Sequence, residues 1–279
     1  MITLRHEGLI AEIAPEHGAA ILSLAKGGRD ILRRAPSVEA VAEDPRAAAC
    51  FPCIPWFGRL YGGLNFAGRH WDLWPTLPAC DAKHALHGEA WVRPWGVIAH
   101  TDMFLECRFS HDGFHDGRFP FAYDARQIVQ FVGASFRIDL ILRNIGREPM
   151  PAGLGLHPYF SRSRDTRIDF AASDLWTPSP DGGALSPIPA DFEFSGGARL
   201  PNSTLDHSYA GFAGAVEIGG PGGPVRLETD APILHVYAPA GKDYFCLEPV
   251  THLPGDFGAV ALRPGESLRL MLAIACAQP

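Results

Sequence analysis

An all-β sandwich or barrel forming one domain over residues 1–279 is expected for this chain, and three features lead there. Glycine and proline, 30 and 25 of 279 residues, are spread evenly along the chain rather than gathered in one linker. Between them lie short runs in which apolar and polar residues alternate, the two-residue period of a half-buried strand. Helical periodicity is scarce, and no repeat of roughly 20–50 residues is visible. A regular succession of short strands with so little helix suits a sandwich or a barrel.

Taken in order, MITLRHEGLIAEIAPEHGAAILSLAKGGRDIL reads as three or four strands with turns at residues 6–8, 16–18 and 27–28. SVEAVAEDPRAAA, residues 37–49, predicts one short helix broken at Pro45, because proline cannot donate the helical N–H. Residues 51–95 are a long aromatic and charged loop region, the part of a β scaffold where function tends to sit. Strands are predicted over 104–109 and 126–132, and most clearly in SFRIDLILRN. There Phe136, Ile138, Leu140 and Leu142 share one face, and Arg137, Asp139 and Arg143 the other. Further strands are predicted over 166–170, 215–219, 225–229, 233–237, 243–247 and 267–276.

Apolar residues at 47% and charged residues at 20% describe an ordinary globular chain. A formal charge of -7 argues against nucleic acid as a partner, since polyphosphate binding wants a basic surface. The N-terminal stretch lacks the basic start and apolar centre of a signal peptide. No run reaches the ~20 apolar residues of a membrane span. Six scattered cysteines suit free thiols in a reducing compartment, so a cytoplasmic location without membrane contact is expected. CFPC at Cys50–Cys53 and HALH at His84–His87 superficially offer four zinc ligands. Only two residues separate the histidines, whereas zinc sites usually space them by three to five, so no metal is expected.

Three stretches set titratable residues among apolar or glycine-rich neighbours: KHALHGEAWVRPW (83–95), GLGLHPYF (153–160) and FCLEPVTHLPGDFG (245–258). His157 and Glu248 each precede a proline, which favours extended backbone, so both are expected at strand ends. Singly, each would read as a packed histidine or a solvated terminus. Their joint occurrence carries more.

Together with FPCIPWFGRLYGGLNFAGRHW and STLDHSYAG, these stretches resemble, in order and along the whole chain, the motifs of the galactose mutarotase (aldose 1-epimerase) family. ALHGEAW is similar to the family's LHG motif and GLGLHPYF to its H-x-YF motif. CLEPVTHLPGDF is similar to its EP-x-x-x-PDAF motif, and the bacterial branch with LHGxxW…RPW is the nearest match. The resemblance implies a large antiparallel β-sandwich and an isomerase that interconverts the α and β anomers of a free aldose without a cofactor. It implies His157 as the acid that protonates the ring oxygen and Glu248 as the base that takes the anomeric hydroxyl proton. Arg59, His87 and Asp206 would bind and orient the monosaccharide. Trp91 and Trp56 are the expected sugar-stacking rings among Trp56, Trp71, Trp74, Trp91 and Trp95.

The chemistry wants such a set on its own terms. Opening a hemiacetal needs one group to remove the O1 proton and another to supply a proton to O5. An imidazole titrating near neutrality and a carboxylate raised by burial can do both. Two departures stand out. Gly58 replaces the family's usual asparagine, and Glu89 follows His-Gly, where it would repel anionic sugars or pair with an arginine. Arg162, Arg164 and Arg167 after the acid motif raise the alternative of a hexose 6-phosphate substrate. A non-catalytic carbohydrate-binding protein and a glycoside hydrolase are the other readings. The second usually needs two positioned carboxylates, and only one is embedded in a motif here.

Overall fold

The computed structural model describes residues 1–177, 183–220 and 223–276. Among the described residues two large antiparallel sheets dominate. The nine-stranded sheet runs from Gly96–Thr101 through Phe104–Asp112, Ala122–Val132, Ser135–Asn144, Ser267–Cys276, Val225–Thr229, Ala215–Gly219 and Arg167–Asp169 to Ala198–Arg199. The eight-stranded sheet contains, side by side, Asp174–Thr177, Leu205–Ala210, Ile233–Ala238, Tyr244–Val250 and the short Gly155–Leu156. One buried cluster takes Phe136, Ile138, Leu140 and Leu142 from the first sheet and Leu205, Leu234, Val236, Phe245 and Leu247 from the second, so the sheets close as a sandwich. A third sheet of four short strands covers residues 2–30, with its turns where the glycines fall.

The alternation read in 135–144 is the burial pattern found there, and the predicted strands are present with ends shifted by a few residues. The helix is Val38–Glu43, capped by Ser37 Oγ accepting from Ala40 N–H, and a 3₁₀ turn starts at Pro45. Glu248 corrects one expectation: it lies inside the strand Tyr244–Val250, not at its end. On one flank this strand pairs Gly155 with Val250 and Tyr159 with Cys246, so residues 247–249 have no registered partner there. Proline at 249 is tolerated on that interrupted flank. The interruption is His157–Pro158, which leaves the sheet between Gly155–Leu156 and Tyr159–Ser161.

Candidate active site

The outer face of the eight-stranded sheet is the floor of a cavity of about 770 Å³. Antiparallel register sets this floor in two transverse rows. Trp176, Ser208, His235 and Glu248 are successive cross-strand partners in one row. Asp206, Tyr237, Cys246 and Tyr159 form the other. Because side chains alternate along a strand, residues 206/208, 235/237 and 246/248 share this face while Leu205, Leu234, Val236 and Leu247 enter the core.

His157 projects over this floor. Its N–H donates to Phe51 O at 3.0 Å, and Nε2 lies 3.3 Å from Glu248 Oε1. Its ring packs on Phe51 and Tyr159, with centroids 4.6 and 4.7 Å away, and meets His87 edge-on at 5.5 Å. Gly153 supplies the room behind: a Cβ there would lie 2.2 Å from the His252 ring, which itself accepts the Phe57 N–H at 3.0 Å. His157 Nδ1 and Glu248 Oε1 are buried and have no hydrogen-bond partner.

Burial pushes the Glu248 carboxyl well up, with the Asp206 charge adding to it. Burial pushes the His157 imidazole well down, helped by His87 and His235. Both directions disfavour a net charge on the pair. Groups this close titrate as a unit. The 3.3 Å contact is an approach of the two groups without hydrogen-bond geometry, and it leaves one acid/base pair facing the cavity.

His87 stands at the wall with φ 56°, a left-handed conformation that a non-glycine residue adopts under constraint. Its N–H donates to Gly58 O at 2.9 Å, and its Nδ1 accepts the Gly58 N–H at 3.1 Å. Nε2 therefore carries the hydrogen of the neutral ring, a form favoured by burial and by the Arg59 charge. Gly88 is required beside it, because a Cβ there would lie 1.8 Å from Ile54 O. Arg59 borders the cavity with Nε donating to Asp81 Oδ2 at 2.8 Å.

The structure brings His157, Glu248, Arg59, His87, Asp206 and Trp91 around one cavity. Trp91 is 1% exposed, stacks on Phe51 at 4.8 Å and donates Nε1 to Leu86 O and Gly88 O, so it braces the wall and presents no open face. Trp56 does not border this cavity. It is held in the core by Phe119 and Phe257 and lines a separate pocket with Glu89, whose Oε1 accepts the Phe119 N–H at 2.8 Å. Glu89 thus neither faces the cavity nor pairs with an arginine. Arg162, Arg164 and Arg167 are also elsewhere. Arg162 donates to Pro201 O, Arg167 donates to Gly197 O, and Arg164 lines a different groove. Cys50, Cys53, His84 and His87 do not converge, and Asp81 engages His84 at 3.1 Å. Among the described residues the converging ligand-type group is His157, Cys246 and Glu248, with atoms within 4.8 Å.

Sequence reasoning missed Trp176, Ser208, His235 and Tyr237. For His235 and Tyr237 a signal was present, at alternate positions of the otherwise apolar strand Ile233–Ala238; Ser208 was masked by the neighbouring His207, and nothing marked Trp176.

The family model for aldose 1-epimerase matches residues 1–275. The uncharacterized protein YphB of Escherichia coli K12 is 31% identical over 288 residues, covering 95% of this chain and 94% of that protein. The crystal structure of a candidate aldose 1-epimerase from Escherichia coli K12 superposes with a TM-score of 0.86 at 30% identity, covering 98% and 97% of the two chains. Galactose 1-epimerase from Lactobacillus acidophilus shares the fold, with a TM-score of 0.81 at 15% identity over 98% and 92% of the chains.

Proposed function

Because the chain belongs to the aldose 1-epimerase family, we propose that it interconverts the α and β anomers of a free, neutral aldose by acid/base ring opening and closure. The observation that carries this is the His157–Glu248 contact of 3.3 Å on the floor of a cavity that Arg59, His87 and Asp206 also line. O1 and O5 of an aldose are bonded to the same carbon, so two groups in contact reach both. Glu248 as carboxylate takes the O1 proton while His157 as imidazolium gives a proton to O5. The C1–O5 bond breaks and C1 becomes an aldehyde. Rotation about C1–C2 presents the other face, and both transfers reverse.

The pair holds one proton at the start and one after ring opening, so no proton need come from solvent within the cycle. Every step is a proton transfer, the breaking or remaking of C1–O5, or a bond rotation. Trp176, half-buried at the end of the Glu248 row, is the ring best placed to stack on the sugar. A neutral substrate is favoured over a sugar phosphate because the two guanidiniums at the cavity are engaged. Arg46 is held by Asp44 through bonds of 2.9 and 2.8 Å, and Arg59 by Asp81.

Polarimetry or proton NMR on freshly dissolved pure α-anomers tests the reading. Wild type should speed equilibration, and His157→Ala and Glu248→Gln should each lose about 10²–10⁴ of that rate. The rate should be bell-shaped in pH, with a plateau where the pair holds one proton. Sugar binding without acceleration would assign a binding protein, and new reducing ends released from oligosaccharides would assign a hydrolase.

A further inference from the structure

Two polar residues of the cavity floor, Ser208 and His235, have no part in the scheme above. Ser208 Oγ lies 2.8 Å from His235 Nδ1, and His235 Nε2 lies 3.1 Å from Asp206 Oδ1. Ser208 is fully buried and His235 is 8% exposed, whereas the Asp206 side chain is 61% exposed. An exposed aspartate on a strand would ordinarily sample several rotamers in water. What fixes Asp206 is the buried ring beside it.

Hydrogen-bond chemistry sets the direction of the chain. The His235 bond holds the Asp206 carboxyl below the ordinary carboxylate range, so near neutrality it is an acceptor only. His235 Nε2 must then carry a hydrogen. In the neutral ring Nδ1 is then the acceptor, and the Ser208 hydroxyl has a proton to donate to it. Phe57 packs on the same ring at 5.2 Å, and Ser208, His235 and Glu248 are direct cross-strand partners. The ring is thus held by a sheet row at its base and by contacts on its face and both nitrogens.

We propose that His235 is a positioning residue for substrate recognition: braced by Ser208 and Phe57, it aims the Asp206 carboxylate so that the remaining lone pairs accept hydroxyls of the sugar. The relay rests on the aldose 1-epimerase reading for its substrate and assigns no proton transfer to His235. Its loss weakens sugar binding and leaves the His157–Glu248 chemistry running.

The test is a set of KM and kcat measurements on Asp206→Asn, His235→Leu, His235→Gln, Ser208→Ala and the Asp206→Asn/His235→Leu pair, using an aldose that wild type turns over. His235→Leu should raise KM about tenfold, as expected for a lost hydrogen bond to a charged group, with kcat within about threefold. His235→Gln, which keeps an N–H toward Asp206, should recover most of that loss. The double variant should be no worse than Asp206→Asn alone, because the two act as one unit. Nitrogen NMR shifts of His235 should report the Nε2–H tautomer in wild type and in Ser208→Ala, and a mixture in Asp206→Asn, whose amide can donate as well as accept. An unchanged KM in a folded His235→Leu protein, additive losses in the double variant, or no rescue by glutamine overturns the proposal. If wild type binds aldoses without turnover, the epimerase reading fails and the same cycle on dissociation constants decides the relay. If it binds none, the relay fails too.

Discussion

The two sheets of the sandwich spend their outer faces differently. In Ser135–Asn144 of the nine-stranded sheet every second residue is buried and those between are partly or fully exposed. In Tyr244–Val250 of the eight-stranded sheet all but Tyr244 are buried, so both faces are covered and the alternation vanishes. The covered outer face sets Glu248, His235 and Ser208 beside a second hydrophobic cluster that includes Ile233, Cys246 and Val250. Where a sheet hides polar groups on the side that ought to meet water, it is building a site. Neighbouring residues on one strand should therefore fail in different ways when changed.

Leu247 and Glu248 give the sharpest contrast. Leu247→Ala leaves a cavity in the shared core and should cost about 2–5 kcal/mol of stability, read by denaturant unfolding, with KM nearly unchanged. Glu248→Gln removes a buried ionisable group and should leave stability equal or higher, while activity falls as stated above. The contrast breaks if both substitutions unfold the protein or both spare its rate.

The tryptophans divide likewise. Trp56→Ala should cost about 3–5 kcal/mol with KM within about twofold, since Trp56 lies in the core. Trp176→Ala should raise KM about threefold to tenfold, with stability within about 1 kcal/mol. Isothermal titration with the turned-over sugar separates them, and a KM effect confined to Trp56 would reverse the assignment.

The pair also marks the pH dependence of folding. Glu248's folded pKa is raised, so its contribution is full below the unfolded value of 4.5 and is lost as pH rises through the folded value. His157's is depressed, so its contribution is full above 6.5 and is lost as pH falls through the folded value. Glu248→Gln should flatten the alkaline decline of Tm and leave the acid one, and His157→Gln should do the opposite. Thermal scans from about pH 4 to pH 9 check this, and profiles parallel to wild type would count against both assignments.

The smallest effect concerns Gly58. Its φ of 77° is one that asparagine tolerates better than most residues, and a Cβ there would meet only Pro254 at 3.9 Å. Gly58→Asn restores the family's usual residue and should lower KM about threefold through one added polar contact, with stability shifted by less than about 1 kcal/mol. A variant that binds sugar no better would mean that this cavity wall has moved away from the substrate.

Strand placement was legible because a half-buried strand writes its period into the sequence, as at Phe136–Leu142. The ordered motifs located His157, Glu248, Arg59, His87 and Asp206. What stayed hidden depended on register. Ser208, His235 and Glu248 are far apart in the chain and share a row only through strand pairing. Trp56 misled because a tryptophan beside a motif arginine looks the same in sequence whether its ring faces a cavity or the core. Glu248's place inside its strand was hidden by Pro249, since the unpaired flank that accommodates proline comes from a detour ninety residues earlier in the chain.

The double-row floor also bears on how such a protein diversifies. Its squares are filled by different strands, while His157 hangs over it from a separate loop. A substitution at Tyr237 or Trp176 edits one square and leaves the backbone under its neighbours unchanged. On the proposed epimerase reading, preference for one sugar over another drifts by single steps on this checkerboard while His157 and Glu248 stay a fixed pair.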